Sequence, residues 1–262
     1  MKTSTSSDKH PFPTRIIVIV LWLLLWQAAY LAVGEDLLLA SPAATLVRVA
    51  QLAVSGSFWG IIVQSLGRIL TGFLLGLVCG TAVAFATAHS RWAHAFVSLP
   101  MNIIKATPVA SFVILALVWI SGKNLSVFIA FLMVLPLVWS NVHQGIKSTD
   151  PKLLEMAKVF RLPHASVLRS ITVPAALPYF LSAARVGLGF SWKAGIAGEV
   201  IAIPTAAIGT QLYNAKVYLE TADLFAWTAV IILLSVLLER MMLVGFDALT
   251  KRLSRMKREV RE

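Results

Sequence analysis

A series of long apolar runs, separated by short polar connections, constrains this chain more than any other feature. A helix needs about 20 mostly apolar residues to cross the hydrocarbon core of a bilayer. The sequence therefore predicts an all-α, polytopic membrane protein of about six transmembrane helices. The predicted spans cover residues 16–33, 58–88, 108–121, 125–142, 175–203 and 224–244.

Composition argues against a soluble fold. Hydrophobic residues make up 58% of the 262 residues and charged residues 13%, against about 45–50% and about 25% in soluble domains. The net charge of +11 could suggest nucleic acid, but the basic residues stand in short blocks between apolar runs. The positive-inside rule explains that pattern, so we expect a lipid membrane and no nucleic acid as partner.

The distribution of Lys and Arg predicts the orientation. Seventeen of the 23 basic residues lie in residues 1–15, 89–107, 143–174 and 240–262, whereas the alternate connections hold only Arg48, Lys123 and Lys216. Because basic residues are enriched in cytoplasmic connections, we expect both termini to be cytoplasmic, in a bacterial inner membrane.

The chain divides into a cytoplasmic tail (1–15), a first span with an outer connection (16–56), a core (57–250) with a polar loop at 148–174, and a basic tail (251–262). A cleaved signal peptide is an alternative for the first span, since residues 32–34 are small. The apolar run of 18 residues is longer than the usual 7–15 of such peptides.

Motifs for catalysis are missing from the sequence. There is no G-x-x-x-x-G-K-[ST], no H-E-x-x-H and no cysteine pair, since Cys79 is the single cysteine. We therefore predict no enzyme activity, no metal site and no cofactor bound by this chain. Energy for active transport would come from a partner or an ion gradient.

The polar loop contains an amphipathic helix. Asp150 followed by Pro151 is a strong helix start, and Pro163 ends the helix before a second short helix at 164–170. Such a loop is suited to docking in the groove of a soluble partner, or to lying on the lipid surface. The predicted apolar face is formed by Leu153, Leu154, Ala157 and Phe160.

This loop resembles the cytoplasmic motif of ABC-importer permeases, E-A-A, three residues, G, nine residues, I-x-L-P. It reads Glu155-Met156-Ala157, then Arg161 at the glycine position, then 171–174 ending in Pro174. Because glycine permits a tight bend, we expect that bend to fall to Pro163 here. Further segments at 65–68, 174–178, 197–199 and 208–209 are similar to the nitrate/sulfonate/taurine branch, and the resemblance covers roughly residues 57–250.

The resemblance implies a type I importer permease fold and a homodimer of this chain. It also implies two ATP-binding subunits, which use ATP and Mg²⁺, and an extracytoplasmic solute-binding protein. In such permeases the loop is a coupling helix that passes ATPase closure to the spans. The predicted ATPase-coupling residues are Glu155, Met156, Ala157, Phe160, Arg161, Pro163, His164 and Pro174.

A row of small residues marks the second span. Gly72, Gly76 and Gly80 recur every four residues and continue to Ala84 and Ala88. Such rows let helix backbones approach closely in membranes, so we predict helix packing along this face.

Polar residues within the fifth span are candidates for the translocation path. Arg185, Trp192 and Glu199 are spaced seven residues apart and share a helix face, with Lys193 about 100° away. Intramembrane charges are costly and usually face a protein interior or a watery path. Snorkelling at a helix end is the alternative, and Arg68 is open to either interpretation.

Two other classes of protein remain possible. A gradient-driven transporter or channel would show inverted repeats and acidic relays, and a membrane enzyme would show clustered His, Asp or Glu. Neither pattern is visible. The sequence does not indicate which small solute is carried.

Overall fold

The chain forms eleven α-helices and no strand over residues 12–259, the part that the structure, a computed structural model, describes; side chains are described for Thr14 and residues 16–246. This confirms the all-α prediction. The helices are α1 (Phe12–Val33), α2 (Pro42–Val54), α3 (Gly56–Ala88), α4 (Arg91–Ala106), α5 (Val109–Ala116), α6 (Gly122–Lys147), α7 (Pro151–Val159), α8 (His164–Val167), α9 (Val173–Ala202), α10 (Ile208–Val217) and α11 (Thr221–Glu259).

The centre of the fold is α6, which packs along α3 on one side and along α9 on the other. Glycines make both contacts close. A Cβ at Gly72 would lie 2.2 Å from the carbonyl oxygen of Val127, and one at Gly145 would lie 2.9 Å from Cα of Ala176. Close backbone approach maximises van der Waals contact. This contact drives helix association in a membrane, because the lipid tails are as apolar as the side chains and the hydrophobic effect between helices is absent.

The small-residue row of α3 faces α6 along its length. Gly76 would place a Cβ 2.6 Å from Cβ of Val134, and Gly80 would place one 2.9 Å from the carbonyl oxygen of Leu135. Ala84 is fully buried in the same contact region. The row therefore serves packing within one protomer.

The prediction of a continuous third span at 108–121 is wrong. Five helices are long and apolar enough to cross a membrane, and a sixth crossing exists only if α4 and α5 count as one span bent by 103°. The bend falls at Thr107 and Pro108, because proline disfavours helical geometry in the preceding residue. Residues 89–107, predicted to be a connection, form the amphipathic α4 instead.

Helix α4 crosses α6 near the end of α6. His94 stacks on Trp139 with ring centroids 5.3 Å apart, and Lys105 Nζ donates to Ser140 Oγ at 3.1 Å. Two residues eleven apart on α4 thus contact neighbouring residues of α6, so the helices cross steeply. α5 then runs beside α6 and α9 in an apolar cluster around Val113.

The first and last helices extend beyond the predicted spans. α1 begins at Phe12, so it includes part of the predicted tail, and α11 continues to Glu259, into the predicted basic tail. The outer connection contains the unpredicted α2. α2 is joined to α11 by an ion pair between Arg48 and Asp223, whose hydrogen bonds raise the pKa of the arginine.

Candidate functional sites

The loop helix α7 begins and ends at clear signals. The Asp150 carboxylate accepts a hydrogen bond from the Lys152 N–H at 2.9 Å, which confirms the predicted helix start. At the other end, the Leu162 N–H donates to the Ala157 carbonyl at 2.9 Å and the Arg161 N–H donates to Lys158 at 3.1 Å. These two bonds form a Schellman motif.

Arg161 itself makes the bend that we expected at Pro163. Its φ of 52° lies in the left-handed region, which glycine adopts freely and other residues adopt at a cost of about 1–2 kcal/mol. Pro163 follows and precedes α8. The arginine therefore keeps the backbone geometry for which the family motif uses glycine.

The exposed apolar face of α7 differs from the predicted one. Ala157 is only 2% exposed and does not belong to it. Leu153 and Met156 are 43% and 44% exposed, and Phe160 at the helix end is 70% exposed. Val159 and Leu162 extend the exposed surface, and Glu155, Arg161, Pro163 and His164 are exposed around it. We call Leu153, Met156, Val159, Phe160 and Leu162 the apolar loop surface.

The loop is continuous with the membrane helix that follows. Residues His164–Ala202 form one helical stretch of 39 residues, in which Leu168–Thr172 is a π-helical turn. Pro174 is the second residue of α9, directly after this turn, and it lacks the N–H that other residues inside a helix donate. The predicted separate helix at 164–170 is thus the first part of this continuous stretch.

Glu199 lies in a buried polar cluster and does not face a stripe. Its carboxylate is fully buried and pairs with Arg68, whose Nη2 lies 3.1 Å from Oε1. Ser65 Oγ donates to Oε2 at 2.8 Å and the Gly209 N–H donates to it at 3.2 Å. We call Ser65, Arg68 and Glu199 the buried cluster.

The buried cluster fixes the connection between α9 and α10. Arg68 Nη2 donates to the Ala206 carbonyl and the Ile208 N–H donates to Ser65 Oγ, each at 2.9 Å. This connection contains two non-glycine residues with positive φ, Ile203 and Ala206, so its strained backbone is held by side chains of α3. The sequence segments at 65–68, 197–199 and 208–209 meet here.

The other predicted path residues lie in different surroundings. Trp192 is 2% exposed and its Nε1 donates to the Ile231 carbonyl of α11 at 3.3 Å. Lys193 and Arg185 are exposed on the protomer. The structure therefore does not place Arg185, Trp192 and Glu199 on one shared polar face, although Arg185 and Trp192 line the same cavity.

That cavity lies between α9 and α11 and has a volume of about 270 Å³. Its lining includes Glu239, which sequence reasoning passed over because the residue lies at the edge of the last apolar run, next to Arg240. An acidic residue inside a predicted span, here 224–244, is the signal that could have identified Glu239 as a candidate site residue. The full lining is Arg185, Val186, Leu188, Gly189, Trp192, Ser235, Leu238 and Glu239.

These features define a multi-span membrane protein whose loop presents an apolar surface outside the spans. The family described as binding-protein-dependent transport system inner membrane component matches residues 72–255. The chain belongs to this family, which confirms the resemblance given by the loop motif.

Relatives and solved structures agree with this assignment. A probable ABC transporter permease protein of Brucella melitensis is 27% identical, over 81% of this chain and 87% of the relative. The taurine transport system permease protein TauC of Escherichia coli is 26% identical, over 92% and 87%. The bicarbonate transport system permease protein CmpB of Synechococcus elongatus is 25% identical, over 71% and 66%.

The fold is shared with solved transporters. A crystal structure of an amino acid ABC transporter with histidines aligns with a TM-score of 0.61 at 18% identity, over 79% of this chain and 96% of that one. The inward-facing MetNI methionine ABC transporter aligns with a TM-score of 0.57 at 17% identity, over 77% and 96%.

Proposed function

We propose that this chain is the permease subunit of an ATP-driven importer. It works as a homodimer, with two ATP-binding subunits on the cytoplasmic side and an extracytoplasmic binding protein that delivers a small solute. Both termini and α7 are cytoplasmic, and the two connections that contain α2 and α10 face the binding protein. ATP and Mg²⁺ are used by the partner subunit.

The exposure of the apolar loop surface carries this proposal. Large apolar side chains on a loop outside the membrane spans favour burial against a partner. Phe160 is 70% exposed and its neighbours Val159 and Met156 are 79% and 44% exposed. A groove on the ATPase would cover them, while the exposed Glu155 meets donors at the rim.

The continuous helix from His164 to Ala202 supplies the coupling. When the ATPase subunits close, α7 and α8 move with them, and α9 moves as the rod attached to α8. α9 packs along α6, and α6 packs along α3, so the motion reaches the helices that surround the path. Arg185 and Lys193 are the exposed cations of α9, and we assign Arg185 to that path.

A charged residue in the apolar loop surface tests the docking step. Phe160→Asp would bury an unpaired carboxylate in the interface, which costs several kcal/mol, so we expect the ATPase subunits to be lost on co-purification. Tyr218→Asp is the matched control, since Tyr218 is 71% exposed in the connection before α11. Full ATPase retention by Phe160→Asp would contradict the proposed docking.

Sidedness has a separate test. Reporter fusions at residues 155 and 215 should report opposite sides of the membrane, because α9 crosses between them. Identical signals from the two fusions would contradict the topology.

A further inference from the structure

Two opposite charges line the cavity between α9 and α11. Arg185 lies seventeen residues before the end of α9 at Ala202, and Glu239 lies eighteen residues after the start of α11 at Thr221. At 1.5 Å per residue both are about 26 Å from those ends. The two helices are antiparallel, as the Trp192–Ile231 hydrogen bond between them also indicates, so the charges lie at the same depth.

Neither charge has a partner among the side chains of Thr14 and residues 16–246. Among the residues whose side chains are described, the ion pairs are Arg48–Asp223 and Arg68–Glu199. No ion pair or side-chain hydrogen bond joins Arg185 or Glu239 to a described residue. Both belong to membrane-spanning stretches, where an uncompensated charge is costly.

The cavity has the size and lining of a site for a small solute. Its volume of about 270 Å³ is below the range of about 300–1,000 Å³ typical of drug-sized ligands. Apolar walls come from Val186, Leu188 and Leu238, and Ser235 adds a hydroxyl group. Apolar walls with a few polar groups are the usual composition of a solute site.

We propose that this cavity binds a small zwitterion, with its anionic group on Arg185 and its cationic group on Glu239. Such a solute compensates both charges at once, whereas a simple anion leaves Glu239 unpaired and adds repulsion to it. The guanidinium fork suits a carboxylate or sulfonate. This inference rests on the proposed function, because it names the solute class that the path carries.

A matched set of three solutes tests the site. We would measure equilibrium binding of labelled taurine, ethanesulfonate and ethylamine to the permease with its ATPase subunits in lipid nanodiscs, without the binding protein. Taurine carries both charges and the other two carry one each. Since a hydrogen bond to a charged group contributes about 1.5–3 kcal/mol, taurine should bind about tenfold more tightly, or better, than either.

Two variants test which charged group of the solute each cavity residue binds. Glu239→Gln should bring taurine down to the affinity of ethanesulfonate, and Arg185→Gln should bring it down to that of ethylamine. Glu220→Gln and Lys216→Gln, which remove exposed charges outside the cavity, should keep the wild-type order.

Several results would overturn the inference. Equal binding of the three solutes, binding of none, unchanged preference in both cavity variants, or loss of preference in the controls would each do so. If the complex retains its ATPase subunits but binds the three solutes equally, only this inference is contradicted. If the chain does not retain the ATPase subunits, the proposed function is contradicted as well.

Discussion

Arg68 and Arg185 both lie within membrane helices, yet they differ in burial and in pairing. Arg68 has a side chain 12% exposed and pairs with the fully buried Glu199. Arg185 is exposed, lines a cavity and has no partner among the described side chains. The first arginine is held for structure, since it fixes the α9–α10 connection. The charge of the second is not offset by any described side chain, as is expected of the transport residue that we propose.

The largest stability change should come from the buried cluster. Glu199→Ala leaves Arg68 buried without its counter-ion, and breaking a buried pair in this way costs about 3–5 kcal/mol. We expect a large loss of stability in detergent, measured as reduced resistance to denaturant. A loss below about 1 kcal/mol would mean that water reaches Arg68, and the contrast between the two arginines would disappear.

A packing substitution should have a smaller effect. Gly72→Ala puts a Cβ 2.2 Å from the Val127 carbonyl oxygen, and overpacking costs about 1–3 kcal/mol. Gly67→Ala on the same helix is the matched control, because nothing lies within 4 Å of its added Cβ. The control should be neutral or more stable by about 0.5–1 kcal/mol. Equal losses in both variants would contradict the assigned α3–α6 contact.

A substitution at the loop bend should increase stability, by less than the two losses described above. Arg161→Gly removes the strain of a side chain at φ 52°, about 1–2 kcal/mol, and adds the entropic cost of glycine, about 0.5–1 kcal/mol, so we expect the loop to gain up to about 1 kcal/mol. Amide exchange of α7 measures this gain locally, as slower exchange of the Leu162 N–H. Faster exchange after the substitution would show that the arginine side chain stabilises the bend through contacts of its own.

Local signals in the sequence predicted much of this molecule. Apolar length identified five membrane helices, and Asp150-Pro151 identified the start of α7. The small-residue spacing identified the packing face of α3, without its partner helix. Each of these features depends on residues close together in the chain.

Features formed by distant residues were not predictable. Glu199 meets Ser65 across 134 positions and Arg68 across 131, and no local pattern encodes that pairing. Periodicity assigned Ala157 to the exposed face, but burial depends on how the loop folds against its own chain. Pro108 marks the position of the bend between α4 and α5, but its angle of 103° depends on how α4 packs on α6. The cavity that Glu239 lines requires α9 and α11 together.

The most direct test of the account is one variant measured in two ways. Arg185→Gln removes an exposed charge that is costly in the membrane and has no partner among the described side chains, so unfolding stability should stay unchanged or rise. The ATPase subunits should remain bound, because Arg185 is far from the apolar loop surface. ATP-driven uptake in reconstituted vesicles should nevertheless fall at least about tenfold, the equivalent of one lost charged contact. Wild-type uptake by this variant, or a stability loss as large as that of Glu199→Ala, would contradict the assignment of Arg185 to transport.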